Sequence, residues 1–269
     1  MFQTLISPAD LAANLGQIRP LDCRAQLGDP LFGRRAFAAG HLPGAVHADL
    51  DTDLAAPPGA GGRHPLPDPE ALAARLREWG VNDADQVVVY DDAGGAFAAR
   101  AWWCLRWLGH AAVAVLDGGL AAWSAPLTNE KSARPVGNFS IRPSLTRTIE
   151  ADELLRALTR SPTPTLVDAR TQARFDGAEE PIDPIAGHIP GAVCMSFQAN
   201  LEDDRTFLSP ETLAERFAHL PEDPICYCGS GVTAAHNVLA MRVAGLPEPI
   251  LYPGSWSEWI VDPSRPRAP

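Results

Sequence analysis

The segment CYCGSGVT, residues 226–233, places a nucleophile in front of a glycine-rich turn. Gly229 and Gly231 permit backbone conformations in which several N–H groups converge on one point. Converging N–H groups stabilise an anion, and beside a cysteine they favour the thiolate, which is the nucleophilic form. The segment therefore predicts a reactive Cys228. Cys226 lies within the preceding apolar run and is expected in the core, with a disulfide to Cys228 as the alternative.

The elements around Cys228 are expected to place it at the end of a strand. Residues 224–228 predict a buried strand, and the pattern at 233–245 predicts a helix that ends at Gly245. Further strands are predicted at 86–91, 111–117, 165–169 and 248–252, and further helices at 68–80 and 209–220 with Asp68 and Ser209 as N-caps. Alternating strands and helices indicate an α/β fold with a parallel sheet, and such sheets bind ligands at the carboxyl ends of their strands.

Four motifs of the chain occur twice and in the same order. The pairs are LDCR (21–24) and VDAR (167–170), AGHLPGAV (39–46) and AGHIPGAV (186–193), VVVYDDAGG (87–95) and ICYCGSG (225–231), and LDGGLAAW (116–123) and YPGSWSEW (252–259). A repeat unit longer than about a hundred residues is typical of a duplicated domain. The polar, proline-containing stretch between the copies predicts a linker. The predicted organisation is a domain at 1–126, a linker at 127–147 and a second domain at 148–269.

The repeat contains an internal comparison, because Asp91 of the first copy stands where the second copy has Cys228. A carboxylate cannot act as a sulfur nucleophile, so the first domain is expected to be catalytically silent and the second catalytic. Arg24 and Arg170 occupy equivalent positions, as do His41 and His188. A residue type that both copies share is expected to have a structural role.

Composition narrows the class of protein. The chain has 269 residues and a formal net charge of −11, which argues against nucleic acid or an anionic membrane as a partner. Its five cysteines do not resemble a disulfide framework, the N-terminal residues do not resemble a signal peptide, and no apolar run approaches the ~20 residues of a membrane span. A cytoplasmic protein is expected. The Cys and His spacing does not suggest a zinc site, so neither a metal nor another cofactor is expected.

Four motifs together carry a resemblance to a known family: FAAGHLPGA (37–45), GHIPGA (187–192), CGSGVT (228–233) and GSWSEW (254–259). Over nearly its whole length the chain resembles the tandem-domain rhodanese-type sulfurtransferases. The resemblance implies two rhodanese-like domains, each a parallel sheet flanked by helices. It also implies that Cys228 takes up a sulfane sulfur as a persulfide and passes it to a thiophilic acceptor such as cyanide, a thiol or thioredoxin.

The loop sequence bears on the sulfur donor. Thiosulfate-preferring members have loops resembling CRKGVT, whereas the neutral CGSGVT is similar to the 3-mercaptopyruvate sulfurtransferases. By that resemblance Ser230, His64 and Asp51 match catalytic residues, in which the Asp fixes the tautomer of the His and the His relays a proton. The rest of the loop, which comprises Gly229, Gly231, Val232 and Thr233, is expected to bind the substrate.

Arg174 matches a family arginine that grips the carboxylate of the substrate, and a guanidinium suits that bidentate contact. The mercaptopyruvate enzymes carry a second arginine shortly afterwards, in a segment resembling EPEPR. Here residues 177–187 read GAEEPIDPIAG and lack it. The carboxylate contact is therefore either weaker or completed from elsewhere in the chain, and thiosulfate remains the alternative donor.

Two rival functions would also rest on a reactive cysteine. A cysteine phosphatase needs an arginine six residues after its cysteine, and that position is Ala234. A non-catalytic sulfur-relay or redox-interaction module would need Cys228 but neither His64 nor Asp51. Substitution of the latter two separates the relay from an enzyme that acts on small molecules.

Overall fold

The computed structural model describes all residues, 1–269, and the chain divides into two compact units. The first unit contains Met1–Ala56, Pro67–Leu145 and Asp203–Phe207, and the second contains Pro57–Leu66, Thr146–Glu202 and Leu208–Pro269. The short segment Pro57–Leu66 therefore packs with the second unit, although it lies within the first repeat in sequence.

The first unit contains a five-stranded parallel sheet. Its strands are β1 (Leu5–Ile6), β2 (Ile18–Asp22), β3 (Val46–His47), β4 (Gln86–Tyr90) and β5 (Val113–Leu116), in the order β1-β5-β4-β2-β3. Its helices are α1 (Pro8–Asn14), α2 (Phe32–Ala39), α3 (Pro69–Glu78) and α4 (Ala98–Trp107). The interior of β4 is fully buried, as the continuous apolar run of a central parallel strand predicts.

The second unit repeats this arrangement. Its strands are β6 (Arg147–Thr148), β7 (Leu166–Asp168), β8 (Ala192–Cys194), β9 (Ile225–Tyr227) and β10 (Ile250–Leu251), and their order is β6-β10-β9-β7-β8. Its helices are α5 (Ala151–Leu158), α6 (Gln172–Phe175), α7 (Pro210–Phe217), α8 (Val232–Val243) and α9 (Ser255–Trp259). The sheet order matches that of the first unit strand for strand. The predicted α/β fold of two similar parallel sheets flanked by helices is therefore confirmed.

Local signals place the helix ends. Asp68 accepts the N–H of Ala71 at 2.8 Å before α3, and Ser209 accepts the N–H of Thr212 at 3.2 Å before α7, as typical N-caps do. Gly245 follows α8 with a φ of +75°, the left-handed conformation in which glycine commonly stops a helix. The strands are shorter than predicted by one to several residues, because sheet pairing ends before the apolar runs do.

The stretch between the repeats is held against the first unit by its backbone. The N–H of Gly137 donates to the carbonyl of Arg77 at 2.8 Å, and that of Phe139 donates to Val81 at 3.2 Å. A Cβ at Gly137 would lie only 2.0 Å from the Val81 carbonyl oxygen, so this close approach requires glycine. The Phe139 side chain is buried as well. Regular structure resumes with β6.

Each unit contains the same buried ion pair. Arg24 bonds to Asp22 at 2.6 Å and Arg170 bonds to Asp168 at 2.7 Å, with all four side chains at most 8% exposed. Mutual neutralisation and added hydrogen bonds make such burial tolerable. Each arginine also donates at 2.7 Å to a backbone carbonyl, Gly40 in one unit and Gly187 in the other. The structural role predicted for these two arginines is thus confirmed.

The paired histidines fasten the turns that contain them. The Nδ1 atoms of His41 and His188 lie 2.8 Å from the carbonyls of Phe37 and Phe175, and each imidazole stacks on that same phenylalanine ring. Across the whole chain, no helix has the length and apolar character needed to cross a membrane.

Candidate active site

Cys228 lies directly after β9, at the carboxyl edge of the second sheet, and four residues before Val232, the first residue of α8. Its N–H donates to Ser255 Oγ at 3.0 Å, and its carbonyl accepts the N–H of Trp256 at 3.0 Å. The thiol is nearly buried, with 2% of the residue exposed. The predicted position at the end of a strand is therefore the position that the structure shows.

Backbone N–H groups surround the sulfur. The N–H of Gly231 lies 3.1 Å from Cys228 Sγ and that of Ser230 lies 3.4 Å from it, and both point at the sulfur. Gly231 has a φ of +75°, and a Cβ there would meet the Pro253 carbonyl oxygen at 2.1 Å. Glycine is thus required for the turn, and the turn directs two backbone donors at the sulfur.

The first unit shows what this kind of turn binds. The Asp91 carboxylate, which is fully buried, occupies the position equivalent to the Cys228 thiol. It accepts four backbone N–H groups at 2.8–2.9 Å, from Ala93, Gly95, Phe97 and Ala98. The turn of the first unit therefore binds an anion that belongs to the protein itself.

Ser230 and His64 form a pair beside the cysteine. The Ser230 Oγ and His64 Nδ1 atoms are 2.8 Å apart, and both residues are 5% exposed. His64 is positioned by the segment Pro57–Leu66, where the N–H of Arg63 donates to Ser257 Oγ at 3.0 Å. Gly62 fits closely against the same serine, because a Cβ there would lie 2.8 Å from its hydroxyl. The structure thus brings together three of the four predicted catalytic residues, Cys228, Ser230 and His64.

The fourth, Asp51, lies exposed in a turn of the first unit, where its N–H donates to Asp49 Oδ1 at 3.0 Å. Its predicted role toward His64 stays a prediction. Val232 and Thr233 are the first two residues of α8, Val232 buried and Thr233 half-buried.

Two guanidinium groups lie against Gly229 of the loop. A Cβ at Gly229 would lie 3.0 Å from Arg63 Nη2 and 3.3 Å from Arg174 Nη2. Arg174 is thus placed beside the predicted substrate-binding loop. Arg63 was not among the predicted site residues, although its position directly before His64 was a signal that it would reach the same site.

Carboxylates of residues 177–187 already engage both arginines. Glu180 receives a two-pronged contact from Arg174, with the closest N–O distance 2.7 Å, and Asp183 contacts both Arg174, at 3.0 Å, and Arg63. Burial alone would raise the pKa of the Glu180 carboxyl, but its bonds to Arg174 and to backbone N–H groups outweigh that effect and lower the pKa. Some guanidinium N–H groups stay unused, including Arg63 Nε, which is buried without a hydrogen-bond partner.

Comparison with known proteins agrees with this geometry. Residues 7–126 and 150–262 each match the family model for the rhodanese-like domain. The chain belongs to the rhodanese family. The relatives described below are named as sulfurtransferases. This protein is a sulfurtransferase of the same family, as the four motifs suggested.

Two curated relatives and one solved structure illustrate the match. The chain is 52% identical over 277 residues to the "Probable 3-mercaptopyruvate sulfurtransferase" of Pseudomonas aeruginosa, covering 98% of this chain and 97% of that protein. It is 35% identical over 267 residues to "Thiosulfate/3-mercaptopyruvate sulfurtransferase 2" of Arabidopsis thaliana, covering 86% and 75%. The structure of SseA from Escherichia coli, described as a 3-mercaptopyruvate sulfotransferase, superimposes with a TM-score of 0.81 at 31% identity, covering 96% of this chain and all of that one.

Within this rhodanese-family enzyme all five cysteines are free thiols, so the alternative disulfide between Cys226 and Cys228 is not formed. Cys226 is fully buried in β9, and burial raises the pKa of its thiol, with the nearby Cys228 adding to the effect. Cys226 is therefore a core residue, as predicted.

Proposed function

We propose that the enzyme takes the sulfur atom of 3-mercaptopyruvate, holds it as the sulfane sulfur of a persulfide on Cys228 and passes it to a thiophilic acceptor such as cyanide, a thiol or thioredoxin. The observation that carries the proposal is the pair of backbone N–H groups on Cys228 Sγ, with the Ser230–His64 pair beside it. The neutral loop and the name of the 52% identical relative support this choice of donor.

The first half-reaction makes one S–S bond and breaks one C–S bond. The Cys228 thiolate attacks the sulfur of 3-mercaptopyruvate, and the electron pair of the C–S bond moves to carbon, which leaves as the enolate of pyruvate. A proton completes pyruvate. In the second half-reaction the acceptor attacks the outer sulfur, the S–S bond breaks, and its electron pair returns to Cys228 as a thiolate. No net oxidation or reduction takes place, and no cofactor is needed.

Ser230 and His64 supply the proton in this proposal. The 2.8 Å contact between Ser230 Oγ and His64 Nδ1 is short enough for proton transfer along the pair. Asp51 would orient His64 in the manner of an aspartate in a catalytic triad. The departing enolate requires such a proton, whereas a departing sulfite would not.

Two arginines would bind the carboxylate of the donor. The Nη2 atom of Arg63 and the Nη1 atom of Arg174 lie 3.0 Å and 3.4 Å from the Cβ position of Gly229, and neither is engaged by Glu180 or Asp183. In this proposal Arg63 takes the place of the second family arginine that residues 177–187 lack. The N–H groups of Gly229, Gly231, Val232 and Thr233 complete the anion-binding turn.

The first domain, 1–126, is proposed to be catalytically silent, with a linker at 127–147 and catalysis in 148–269. Support comes from Asp91, which occupies the first turn with a carboxylate bound by four N–H groups. Five free thiols also suit the reducing cytoplasm, where we propose that the enzyme works.

Thiosulfate is the second candidate donor, because two guanidinium groups beside one loop could receive a dianion. The test is kcat/KM for 3-mercaptopyruvate and for thiosulfate, with cyanide as acceptor, in the wild type and in Cys228→Ser. We expect a strong preference for 3-mercaptopyruvate that the substitution abolishes. A preference for thiosulfate would select the second candidate, and activity that survives Cys228→Ser would remove both.

A further inference from the structure

Asp183 holds a position that the chemistry proposed above does not use. Its carboxylate contacts the guanidinium groups of both Arg63 and Arg174, the two cations that lie against Gly229. The side chain of Asp183 is only 2% exposed, whereas those of Arg63 and Arg174 are 25% and 15% exposed. A buried carboxylate therefore connects the two cations on the side away from solvent.

Glu180 has a different role in the same segment. Its Oε1 accepts the backbone N–H groups of Ile182 and Asp183 at 3.1 Å and 3.0 Å, so Glu180 fixes the path of the chain. It also bonds to Arg170, at 3.3 Å, which belongs to the buried ion pair of the scaffold. Asp183 accepts no such local backbone bond, and its carboxylate bonds to the two arginines alone. Glu180 thus holds the backbone at residues 180–183 in place, whereas the negative charge of Asp183 faces the two guanidinium groups beside Gly229.

The charges of this cluster balance before any donor binds. Arg63 and Arg174 contribute two positive charges, and Glu180 and Asp183 contribute two negative charges. Two unpaired arginines would favour a dianion over a monoanion, because each added charge on the ligand would find a counter-charge. Here Glu180 and Asp183 already supply both counter-charges, so a second charge on the ligand finds no unpaired cation.

We propose that Asp183 is an internal counter-ion that sets donor specificity, favouring a donor with one carboxylate over the dianion thiosulfate. This rests on the proposed function, since it concerns the donor of the same reaction. Asp183 acts through Arg63 and Arg174 and is a positioning residue. Specificity arises by repulsion of the wrong charge as well as attraction of the right one.

The experiment compares the wild type, Asp183→Asn and Asp183→Glu. Asparagine keeps the shape and the acceptor oxygen but removes the charge, whereas glutamate keeps the charge. We expect the ratio of kcat/KM for thiosulfate to that for 3-mercaptopyruvate to rise about tenfold in Asp183→Asn, mainly through KM, which is the order of magnitude for one unit charge several ångströms from a ligand. In Asp183→Glu the ratio is expected to stay near that of the wild type.

Glu222→Gln is the matched control, because it removes one negative charge from an exposed residue ahead of β9, at the end of the strand opposite Cys228. It should leave the ratio unchanged. An active wild type with the same ratio in Asp183→Asn, or equal losses on both donors, would overturn the assignment and leave the proposed function intact. A wild type inactive with both donors would remove the proposed function and this assignment together.

A second measurement needs no variant at Asp183. In the wild type, inorganic sulfate and pyruvate are compared as competitive inhibitors against 3-mercaptopyruvate. If Asp183 acts as an internal counter-ion, the dianion sulfate should bind to the enzyme no more tightly than the monoanion pyruvate. Tighter inhibition by sulfate would contradict the role of Asp183, even if Asp183→Asn did not fold.

Discussion

The corresponding turns of the two units differ in the residue that directly follows the strand. At the carboxyl end of β9 the second unit has the Cys228 thiol, and at the equivalent place after β4 the first unit has the Asp91 carboxylate. Both accept backbone N–H groups from the residues that follow, four for Asp91 and two for Cys228. Both turns therefore direct backbone N–H groups at the side chain that follows the strand, and only a sulfur there can carry a second sulfur.

His64 allows a prediction at the same scale. Sulfur transfer from 3-mercaptopyruvate releases the enolate of pyruvate, which needs a proton, whereas transfer from thiosulfate releases sulfite, which does not. His64→Ala should therefore lower kcat for 3-mercaptopyruvate by about 10²-fold or more and affect kcat for thiosulfate much less. Steady-state kinetics with both donors measures this difference. Equal losses on the two donors would mean that His64 only supports the shape of the loop.

The sulfur-relay alternative is tested by the same substitution together with Asp51→Asn. Sulfur transfer to a protein acceptor that is unchanged in both single variants would favour the relay over the enzyme. A loss in both variants fits the proposed proton path.

At the scale of elements, the cysteine loop depends on its contact with the start of α9. The N–H groups of Trp256 and Ser257, which lie in α9, donate to the carbonyls of Cys228 and Gly229 at 3.0 Å and 2.9 Å. Ser255 accepts the N–H of Cys228 from a left-handed backbone conformation, φ +54°, that is unfavourable for a serine. Backbone strain of this kind beside a reactive residue fits a turn shaped for function.

Gly231→Ala tests this dependence, and Gly245→Ala is its matched control. Both glycines have a φ of +75°, but a Cβ at Gly231 would strike the Pro253 carbonyl oxygen, whereas at Gly245 it would meet nothing within 4 Å. We expect Gly245→Ala to lower the free energy of unfolding by about 1–2 kcal/mol, the usual cost of that backbone conformation for alanine, and to keep full activity. Gly231→Ala should lose more stability and nearly all sulfur transfer.

Denaturant unfolding and kcat/KM measured on the two variants decide the matter. Equal stability losses with activity retained in both would show that the close fit between Gly231 and Pro253 does not shape the active loop.

At the scale of the whole molecule, the repeat in sequence became a repeat in topology. The strand order of one sheet is that of the other, and the ion pairs of Arg24 and Arg170 occur at equivalent places. These features were predictable from the chain alone, because apolar runs, N-caps such as Ser209 and the doubled motifs are local signals. The position of Cys228 at a strand end followed from the same signals.

Other features of the site were not predictable in this way. Arg63 and Asp183 are 120 residues apart in sequence, and only the fold brings their side chains together. The segment Pro57–Leu66 lies in the first repeat by sequence but packs with the second unit, which periodicity cannot reveal. Contacts of this range depend on the packing of loops, for which the chain carries no short-range pattern.

The five thiols of the chain differ in their surroundings. Burial raises the thiol pKa of Cys23, Cys104 and Cys226, with nearby negative charge adding to the effect at Cys23, and it raises that of the half-buried Cys194 to about 11. These four are therefore held as neutral thiols at neutral pH. Cys228 alone accepts the N–H groups of a glycine-rich turn at the start of a helix.

The most direct test is mass spectrometry of the intact protein and of its peptides after incubation with 3-mercaptopyruvate and without acceptor. A persulfide on Cys228 predicts a gain of one sulfur atom, located on the peptide that contains Cys228, which cyanide removes and which Cys228→Ser never acquires. A protein that gains no sulfur on Cys228, or that gains it on one of the four buried or half-buried cysteines instead, would contradict the account.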